Sequence, residues 1–557
     1  MGAQLKPGTG VMRSMKSKDS GMQKHLLKFI PLVALFLAGV SLACSLSPRS
    51  TSAPVFLAPG GENYATNTPA AVASIGGGLA PTTEIEIPPG EIIETPAIQA
   101  TTEPDDGPTP TTTPTQPIVN TTPFLYYTQA GDTLPVVATR FGVQPEEISS
   151  PDDIPERVLF NPGQLLVIPN RIANTTSSQH FMPDSEVVYS PSALDFDVSI
   201  FVEQSGGYLS DYSQFLATTG ITSGPEVVQR IATENSINPR LLLALLEYQS
   251  GWVFSQEPSG SIDYPLGKVN LRDKGLYKQL AWAVNQLSIG YYGWREGRLT
   301  EIKFKDGITA RLAPDLNAGT AALQYYFAQL YDSEQWVAAL DLDSGFPALY
   351  ESMFGSPWVR AMSVEPLYPP DLIQPPLVLP FMINQIWSYS GGPHGAWERD
   401  GAWAAVDFAP GSLVPGCFDT EVYTVAAASG LVVRSENGVV SIDLDGDGRE
   451  QTGWVLMYLH VADKGRIPAG TWVERGDLLG HPSCEGGFST GTHLHLARKY
   501  NGEWIVADGP LPFVISGWTV HAGEKAYDGT LIRGDRTIPA NPLSPFESQI
   551  IRRSTDP

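Results

Sequence analysis

The sequence predicts a multidomain α+β protein: a small strand–helix–helix–strand (βααβ) module, a mostly helical middle domain and a C-terminal domain built on an antiparallel β-sheet. Three observations predict this organisation. The chain has 557 residues, which is enough for about three or four domains. A stretch rich in Pro and Thr separates the N-terminus from the rest. Near residue 380, the apolar spacing changes from a helical period to a strand period.

The composition excludes a wholly disordered chain and argues against a nucleic-acid partner. Hydrophobic residues make up 42% of the chain and aromatic residues 10%, which is enough for several buried cores. The net charge is −24, whereas phosphate binding requires clustered Lys and Arg. The three cysteines are too few for a disulfide scaffold.

Residues 1–44 have the pattern of an export signal. A basic flank precedes an apolar run from Ile30 to Ala43, which has the length of a signal-peptide core and is short for a membrane-spanning helix. Ser41–Cys44 resembles a bacterial lipobox, which implies cleavage before Cys44 and attachment of a lipid to that cysteine. Plain secretion and an uncleaved anchor are the alternatives. In each case we expect a cell-envelope or secreted protein, and with lipidation one on the outer face of the membrane.

Residues 45–122 predict a disordered linker. Pro, Thr, Ser and Ala dominate this stretch, as in the run from Gly107 to Thr115. Such a composition buries too little apolar surface to offset chain entropy. We expect an extended segment, stiffened by proline, that lets a tethered domain reach away from a membrane.

Residues 123–171 predict the compact βααβ module. Phe124–Thr128 and Leu165–Pro169 are strand-like runs, and the turns Gly131–Thr133 and Asn161–Gly163 lie between them. This pattern resembles a LysM module. The resemblance implies binding of N-acetylglucosamine-containing glycan in a shallow groove beside the two turns.

Residues 185–372 predict the mostly helical domain. Asn238-Pro239 is a favourable helix start and precedes a nearly all-apolar run. This region resembles the lysozyme-like lytic transglycosylases, in which the same helix ends in Glu-Ser-Gly and the Glu is the general acid/base. Here Gln249 stands at that position and cannot donate a proton. We expect a catalytically inactive, glycan-holding domain. Action of Glu247 in a shifted geometry and an accidental resemblance are the alternatives.

Residues 380–557 predict the antiparallel β-domain, and five of the eight histidines fall between 394 and 495. His394 follows a Gly-Gly-Pro motif, and Asp407 follows after a long gap. His460 ends an apolar strand, while His493 and His495 are two apart and therefore share one face of a strand. Two imidazoles and one carboxylate satisfy a hydrolytic zinc site, which needs three protein ligands and an open position. One further imidazole can accept the proton of water, and another can stabilise an oxyanion.

These motifs resemble the lysostaphin-type zinc metallopeptidases, which cut cell-wall peptides. The beta-lytic endopeptidases among them share the Gly-Gly-x-His start and the long gap to the Asp, and the block Ser489–His495 matches the most diagnostic motif of the family. The resemblance implies one Zn²⁺ and a catalytic pair: His394, Asp407 and His495 for the metal, and His460 and His493 for catalysis, with His493 as the general base. We expect His481 to have a structural or substrate-groove role.

The Asp443, Asp445 and Asp447 carboxylates have the oxygen spacing of a calcium loop. The bidentate Glu expected seven residues after Asp447 is absent, because Trp454 stands there. The pattern predicts a solvated acidic hairpin tip, with a Ca²⁺ site as the alternative.

The lipobox accounts for one cysteine and leaves Cys417 and Cys484. An even pair in an oxidising compartment predicts a disulfide. Two free buried thiols are the alternative.

The sequence therefore predicts an exported zinc metalloendopeptidase that hydrolyses peptide bonds in the cross-bridges or stems of peptidoglycan and is held on wall glycan by the LysM-like module. The alternative is a non-catalytic lipoprotein that binds the cell wall or activates another hydrolase. A third hypothesis places a glycosidase in the helical domain, with Glu247 as its acid.

Overall fold

The computed structural model describes residues 122–154, 158–412 and 414–557. The predicted export signal, including Cys44, and nearly all of the predicted linker lie outside these residues. Within the described part of the chain, no helix has both the length and the apolar character needed to cross a membrane.

The N-terminal module has the predicted strand, helix and strand, but a single 3₁₀ turn stands in place of the predicted second helix. Its elements are β1 (Phe124–Tyr127), α1 (Leu134–Phe141), a 3₁₀ turn (Pro145–Glu147) and β2 (Leu165–Ile168). The two strands pair antiparallel, with Tyr126 opposite Leu166. Phe141 packs on the Tyr126 ring at a centroid distance of 5.2 Å. A proline in the first turn of α1 is compatible with the helix, because the amides of that turn have no partner within the helix.

The module is packed firmly against the helical domain. Arg140 of α1 is buried, forms an ion pair of 2.8 Å with Asp132 and donates a hydrogen bond of 3.1 Å to the carbonyl of Trp294. Its guanidinium also lies 4.7 Å from the centre of the Trp294 ring. The Gln129 amide donates to the carbonyl of Asp315 at 2.8 Å. The module and the helical domain therefore share a polar and aromatic interface.

The middle domain is mostly helical, as predicted. Its helices are α2 (Val198–Ser205), α3 (Tyr208–Asp211), α4 (Gly224–Asn235), α5 (Pro239–Ser250), α6 (Leu276–Arg295), α7 (Ala318–Ala328), α8 (Ser333–Ala339), α9 (Phe346–Phe354) and α10 (Pro357–Ala361). The side chain of Asn238 caps α5 by accepting from the Arg240 amide at 3.0 Å. The apolar run of α5 is fully buried, which explains the absence of a polar face in its sequence.

The sequence analysis missed two short hairpins in this domain. They are β3 (Ser213–Leu216) with β4 (Gly220–Ser223), and β5 (Glu301–Lys303) with β6 (Thr309–Arg311). Short 3₁₀ turns add Asp184–Glu186, Pro191–Ala193 and Leu271–Asp273. The hairpin strands have only three or four residues each, which is too short for a clear alternation of apolar and polar positions.

The C-terminal domain is built on the predicted antiparallel sheet. Its strands are β7 (Ile386–His394), β8 (Ala405–Pro410), β9 (Thr424–Val425), β10 (Gly430–Glu436), β11 (Val439–Asp443), β12 (Trp454–Leu459), β13 (Trp472–Val473), β14 (Leu478–Gly480), β15 (Leu494–Tyr500), β16 (Glu503–Trp504), β17 (Val514–Ile515), β18 (Trp518–Ala522), β19 (Gly529–Arg533), β20 (Arg536–Pro539) and β21 (Gln549–Ile551). Phe546–Ser548 forms a 3₁₀ turn.

Among the described residues, these strands form one nine-stranded sheet and smaller sheets beside it. The order of the large sheet is β13-β10-β11-β12-β15-β8-β7-β21, and β16 pairs with β15. The strands β17 to β20 form a separate sheet in chain order, and β9 pairs with β14. The predicted turn at Asn437-Gly438 joins β10 and β11, and both of its residues have positive φ.

The two faces of the large sheet enter different cores. Val406, Leu456 and Leu496 point into the core of the C-terminal domain. Ala405, Met457 and Ala497, one position away on the same strands, belong to the core of the helical domain. The helical domain therefore covers one face of the sheet, and the two domains fold as a continuous unit.

A buried ion pair joins these two domains. Arg295, at the end of α6, donates to Glu503 of β16 at 3.2 Å and to Asp184 at 2.9 Å. The hydroxyls of Tyr291 and Tyr368 also donate to Glu503, at 2.9 and 2.5 Å. Buried charges are tolerated only when such partners surround them.

Arg295→Ala removes the cation of this network and leaves Glu503 and Asp184 buried without it. We expect the free energy of unfolding to fall by about 3–5 kcal/mol, measured by urea denaturation of the full chain. The control is Arg298→Ala, which removes a guanidinium that is 43% exposed and paired with Glu296, and which we expect to cost about 1 kcal/mol or less. Similar losses in the two variants would contradict a special role for the buried pair.

Candidate metal centre

The three predicted metal ligands converge on one point of the large sheet. His394 ends β7, Asp407 lies within β8, and His495 lies within β15. Asp407 pairs with His495 across the two strands. Nε2 of His394 is 3.0 Å from Nδ1 of His495, and Oδ1 of Asp407 is 3.3 Å from each of these nitrogens. All three side chains are buried, and their ligand atoms are close enough together to hold one ion.

Backbone carbonyls set the orientation of both imidazoles. Nδ1 of His394 is 2.7 Å from the carbonyl of Gly392, and Nε2 of His495 is 2.9 Å from the carbonyl of Ala396. A ring nitrogen that faces a carbonyl oxygen carries the proton, so the other nitrogen of the neutral ring presents a lone pair. Both lone pairs therefore face Asp407.

The carboxylate oxygen of Asp407 lies where these atoms meet. Among the described residues, Oδ1 of Asp407 is buried and has no hydrogen-bond partner. An unpaired buried acceptor is costly, and a carboxylate more so. A divalent cation satisfies this oxygen and both imidazole lone pairs at once, so the residues present fit a metal ion.

The charge states of the site also suit a metal. Burial alone would raise the pKa of Asp407, but His394 and His493 beside it hold that pKa well below its ordinary value. Burial lowers the pKa of His495. Burial would lower the pKa of His394 too, but Asp407 raises it. Because metal ligands must be deprotonated, the affinity for metal weakens as the pH falls.

The two predicted catalytic histidines lie beside this cluster. Nδ1 of His493 is 2.8 Å from the carbonyl of Gly491, and Nε2 of the same ring is 3.7 Å from Oδ1 of Asp407. Nδ1 of His460 is 2.7 Å from the carbonyl of Glu485. The two rings are 4.5 Å apart between centroids. Each ring therefore has its Nδ1 proton bound to the backbone and its Nε2 free to accept.

His460 has a strongly lowered pKa and a strained backbone conformation. Burial, together with the His493 and His495 imidazoles, lowers the pKa of His460 to about 3. The residue has a φ of 66°, which is rare outside glycine. Side chains in such strained backbone positions cluster at functional sites, where the surrounding structure enforces them.

The predicted disulfide is confirmed and braces the loops beside the histidines. Cys417 is bonded to Cys484, which joins the loop after β8 to the loop before β15. Thr492 reinforces the same junction: its amide donates to Gly416 at 3.1 Å and its hydroxyl donates to Phe418 at 2.7 Å. These contacts fix the chain next to both catalytic candidates.

Sequence reasoning missed two residues that shape the site. A Cβ atom on Gly391 would lie 2.5 Å from Oδ2 of Asp407, so only glycine leaves room for the carboxylate there. The sequence does mark this position, because Gly391 is the first glycine of the Gly-Gly-Pro-His motif. The ring of Tyr527 stacks on His394 with centroids 4.0 Å apart. No motif marks Tyr527, because its position depends on the fold of the distant β18–β19 hairpin.

The remaining histidine and helical-domain candidates lie apart from this cluster. Nδ1 of His481 is 2.9 Å from the carbonyl of Val422, in a loop contact. Gln249 accepts from the hydroxyl of Tyr331 at 3.0 Å. The Glu247 carboxylate accepts from two backbone amides of the turn that follows its helix, at 2.9 and 3.1 Å. Glu247 thus stabilises the end of α5.

The three aspartates of the calcium-like spacing also converge. Their oxygens accept hydrogen bonds from amides of their own loop: Asp443 from Gly448 at 2.8 Å, Asp445 from Asp447 at 3.2 Å and Asp447 from Arg449 at 2.9 Å. Asp445 and Asp447 are exposed, as predicted for a solvated acidic tip, whereas Asp443 is buried.

Comparison with known proteins gives similarities along much of the chain. Residues 180–368 match the family model described as LasA, N-terminal domain. The chain is 25% identical to Protease LasA of Pseudomonas aeruginosa over 361 residues, covering 62% of this chain and 79% of the relative. A second strain of the same species gives the same identity over 364 residues.

Two solved structures resemble smaller parts of the chain. One is described as the M23 metalloprotease pseudoalterin from the deep sea, with 24% identity, coverage of 30% of this chain and 96% of that chain, and a TM-score of 0.25. The other is the catalytic domain of the antimicrobial peptidase lysostaphin from Staphylococcus simulans, with 23% identity, coverage of 22% and 87%, and a TM-score of 0.16.

The variant Gly391→Ala tests the metal centre without substituting any of the three proposed ligands. The added methyl group displaces the Asp407 carboxylate, and we expect the affinity for Zn²⁺ to fall by about 10- to 100-fold, measured by competition with a chromogenic chelator. The control is Gly411→Ala, because a Cβ at Gly411 meets no described atom within 4 Å. Unchanged affinity in Gly391→Ala would show that Asp407 does not bind the metal.

Proposed function

We propose that the chain is a zinc-dependent endopeptidase that hydrolyses peptide bonds of peptidoglycan outside the cytoplasm. The observation that carries this proposal is the convergence of two imidazole lone pairs and an unpaired buried carboxylate oxygen, with two further imidazoles beside them. The similarity to Protease LasA over 62% of the chain supports a peptidase. Together, these observations favour a metallopeptidase over a protein that only binds the wall.

We assign the metal to His394 through Nε2, Asp407 through Oδ1 and His495 through Nδ1. Zinc held there supplies a Lewis acid that polarises the scissile carbonyl and lowers the pKa of water to about 7. Gly392 and Ala396 keep the two imidazoles in the correct tautomer through their carbonyls.

His493 is assigned as the general base. Its Nδ1 proton is bound to the Gly491 carbonyl, so its Nε2 accepts the proton of the attacking water. The imidazolium then donates from Nε2 to the oxyanion and passes the proton to the nitrogen of the leaving amine. His460 has the same tautomer, and burial lowers its pKa to about 3, so it accepts a hydrogen bond and orients the water without taking up its proton.

The cell-wall substrate rests on the resemblance to lysostaphin-type and beta-lytic enzymes. The motifs at residues 391–394 and 489–495 carry this resemblance. The export pattern of residues 1–44 supports a location outside the cytoplasm, where peptidoglycan is. Lipidation at Cys44 would hold it at the membrane surface.

Digestion of purified peptidoglycan by the mature chain, followed by mass spectrometry, tests this function. We expect new peptide amino termini that are lost in His495→Ala. Cleavage of the sugar chain that survives in His495→Ala but is lost in Glu247→Gln would instead place the chemistry in the helical domain. Zinc binding with no cleavage of either kind would indicate a non-catalytic activator.

The assignment of His493 as the general base predicts a loss of kcat without a loss of zinc. In His493→Ala, we expect kcat to fall by about 100- to 10,000-fold, because proton transfer is lost, while zinc binding stays near one equivalent. Stoichiometry is measured on dialysed protein by elemental analysis. Loss of zinc from this variant would show that His493 is a ligand and not the base.

We also propose that the LysM-like module holds the enzyme on wall glycan. The resemblance implies that glycan binds beside its two turns, Gly131–Thr133 and Asn161–Gly163. Residues of the first turn line a cavity of about 320 Å³ together with Arg295 and Tyr368. Any glycan at this turn would therefore contact the helical domain as well.

Co-sedimentation with peptide-free glycan strands tests the anchor. The full chain carrying His495→Ala cannot cut peptides, and we expect it to sediment with the strands and to be released by soluble N-acetylglucosamine oligomers. A chain that stays in the supernatant would refute glycan anchoring and leave the peptidase proposal intact.

A further inference from the structure

We propose that helix α6 of the helical domain positions the metal ligand His495, through the loop that joins the other two ligands. This loop, residues 395–404, connects His394 at the end of β7 with β8, which carries Asp407. We call it the bridging loop. The inference rests on the proposed zinc site and adds a role for the helical domain.

The bridging loop supplies the carbonyl that orients His495. Nε2 of His495 is 2.9 Å from the carbonyl of Ala396, and this contact is what turns Nδ1 toward the other ligands. The amide of Ala396 donates in turn to the carbonyl of Ala402 at 3.0 Å, across the base of the loop. The position of the Ala396 carbonyl therefore depends on where the far end of the loop lies.

Helix α6 packs against that far end, which the Ala507 amide also holds by donating to the Trp403 carbonyl at 2.9 Å. Ala396, Ala402 and Ala404 are buried in the same apolar core as α6. A Cβ on Gly401 would lie 3.1 Å from Cβ of Ser288, so the loop backbone rests directly on the helix.

Two hydrogen bonds and a cation–π contact also join the loop to the helical domain at this junction. Oδ1 of Asn285 accepts from the amide of Asp400 at 3.2 Å, and its Nδ2 donates to the Asp400 carboxylate at 3.4 Å. The guanidinium of Arg298 lies 5.5 Å from the centre of the Trp403 ring. The helical domain thus contacts the loop at three successive points.

These contacts give a physical reason for the long gap between His394 and Asp407. A tight turn between β7 and β8 would leave no segment between His394 and Asp407 that reaches Asn285 and Ser288 of α6. The longer loop reaches the helix at residues 400–401 and returns through Ala402, which accepts from the amide of Ala396, whose carbonyl faces His495. Partners that orient a ligating histidine affect metal affinity about 10- to 100-fold. Asn285, Ser288 and Gly401 are therefore positioning residues that act through Ala396.

The test is Gly401→Val in the full chain, with the affinity for Zn²⁺ measured by chelator competition. The added side chain pushes the loop away from Ser288, and we expect the affinity to fall by about 10-fold. Ser288→Gly removes the opposing Cβ, so the double variant should recover the wild-type affinity. A general loss of stability would not be reversed by a glycine in a helix, because this change is itself destabilising.

Gly411→Val is the matched control, because a Cβ there meets no described atom within 4 Å, and we expect it to leave the affinity unchanged. Should Gly401→Val fail to fold, Asn285→Ala removes the two polar contacts at the partly exposed rim of the junction. We expect faster hydrogen exchange in residues 395–404 and weaker zinc binding in that variant.

The outcomes separate this inference from the proposed function. A wild-type chain that binds no zinc overturns the zinc site itself. A wild-type chain that binds zinc, together with Gly401→Val and Asn285→Ala variants of equal affinity, overturns only the role of α6. Weakened binding in Gly401→Val that Ser288→Gly does not restore would also overturn it, because direct contact with the helix is then not the cause.

Discussion

The register between β8 and β15 places Asp407 directly opposite His495, and the rest of the site depends on that pairing. A slip of one residue would turn one of these side chains to the other face of the sheet. The register is secured by the apolar alternation on both sides. Val406 and Leu496 point into one core, while Ala405 and Ala497 point into the other. The packing of two domains therefore fixes the geometry of two ligands.

The same sheet face carries both the candidate site and the domain interface. Ala405 and Ala497 lie two residues from Asp407 and His495, so they share their face. Small side chains there let the helical domain approach the sheet closely. The buried pair of Arg295 with Glu503 and the bridging loop add contacts at other points of the interface. The helical domain thus forms one side of the site region, although all three candidate metal ligands belong to the C-terminal domain.

Much of this was accessible from the sequence, because the signals are local. The Asn238 cap, the Asn437-Gly438 turn, the β12 strand and the His-x-His pair each follow from neighbouring residues. The disulfide followed from counting cysteines in an exported chain. By contrast, Gly391, Ala396 and Tyr527 act through the fold, since each meets a residue from another strand or hairpin. Backbone carbonyls such as that of Ala396 leave no signature in a sequence, because every residue has one.

The central claim is that one zinc ion sits between His394, Asp407 and His495. Anomalous scattering at the zinc edge, from crystals of the zinc-loaded chain, tests it most directly. The account predicts one strong peak about 2.0–2.1 Å from Nε2 of His394 and Nδ1 of His495, next to Oδ1 of Asp407, with His460 and His493 beyond bonding distance. A peak on the Asp443–Asp447 loop alone, or one bonded to His460 or His493 in place of these ligands, would contradict it.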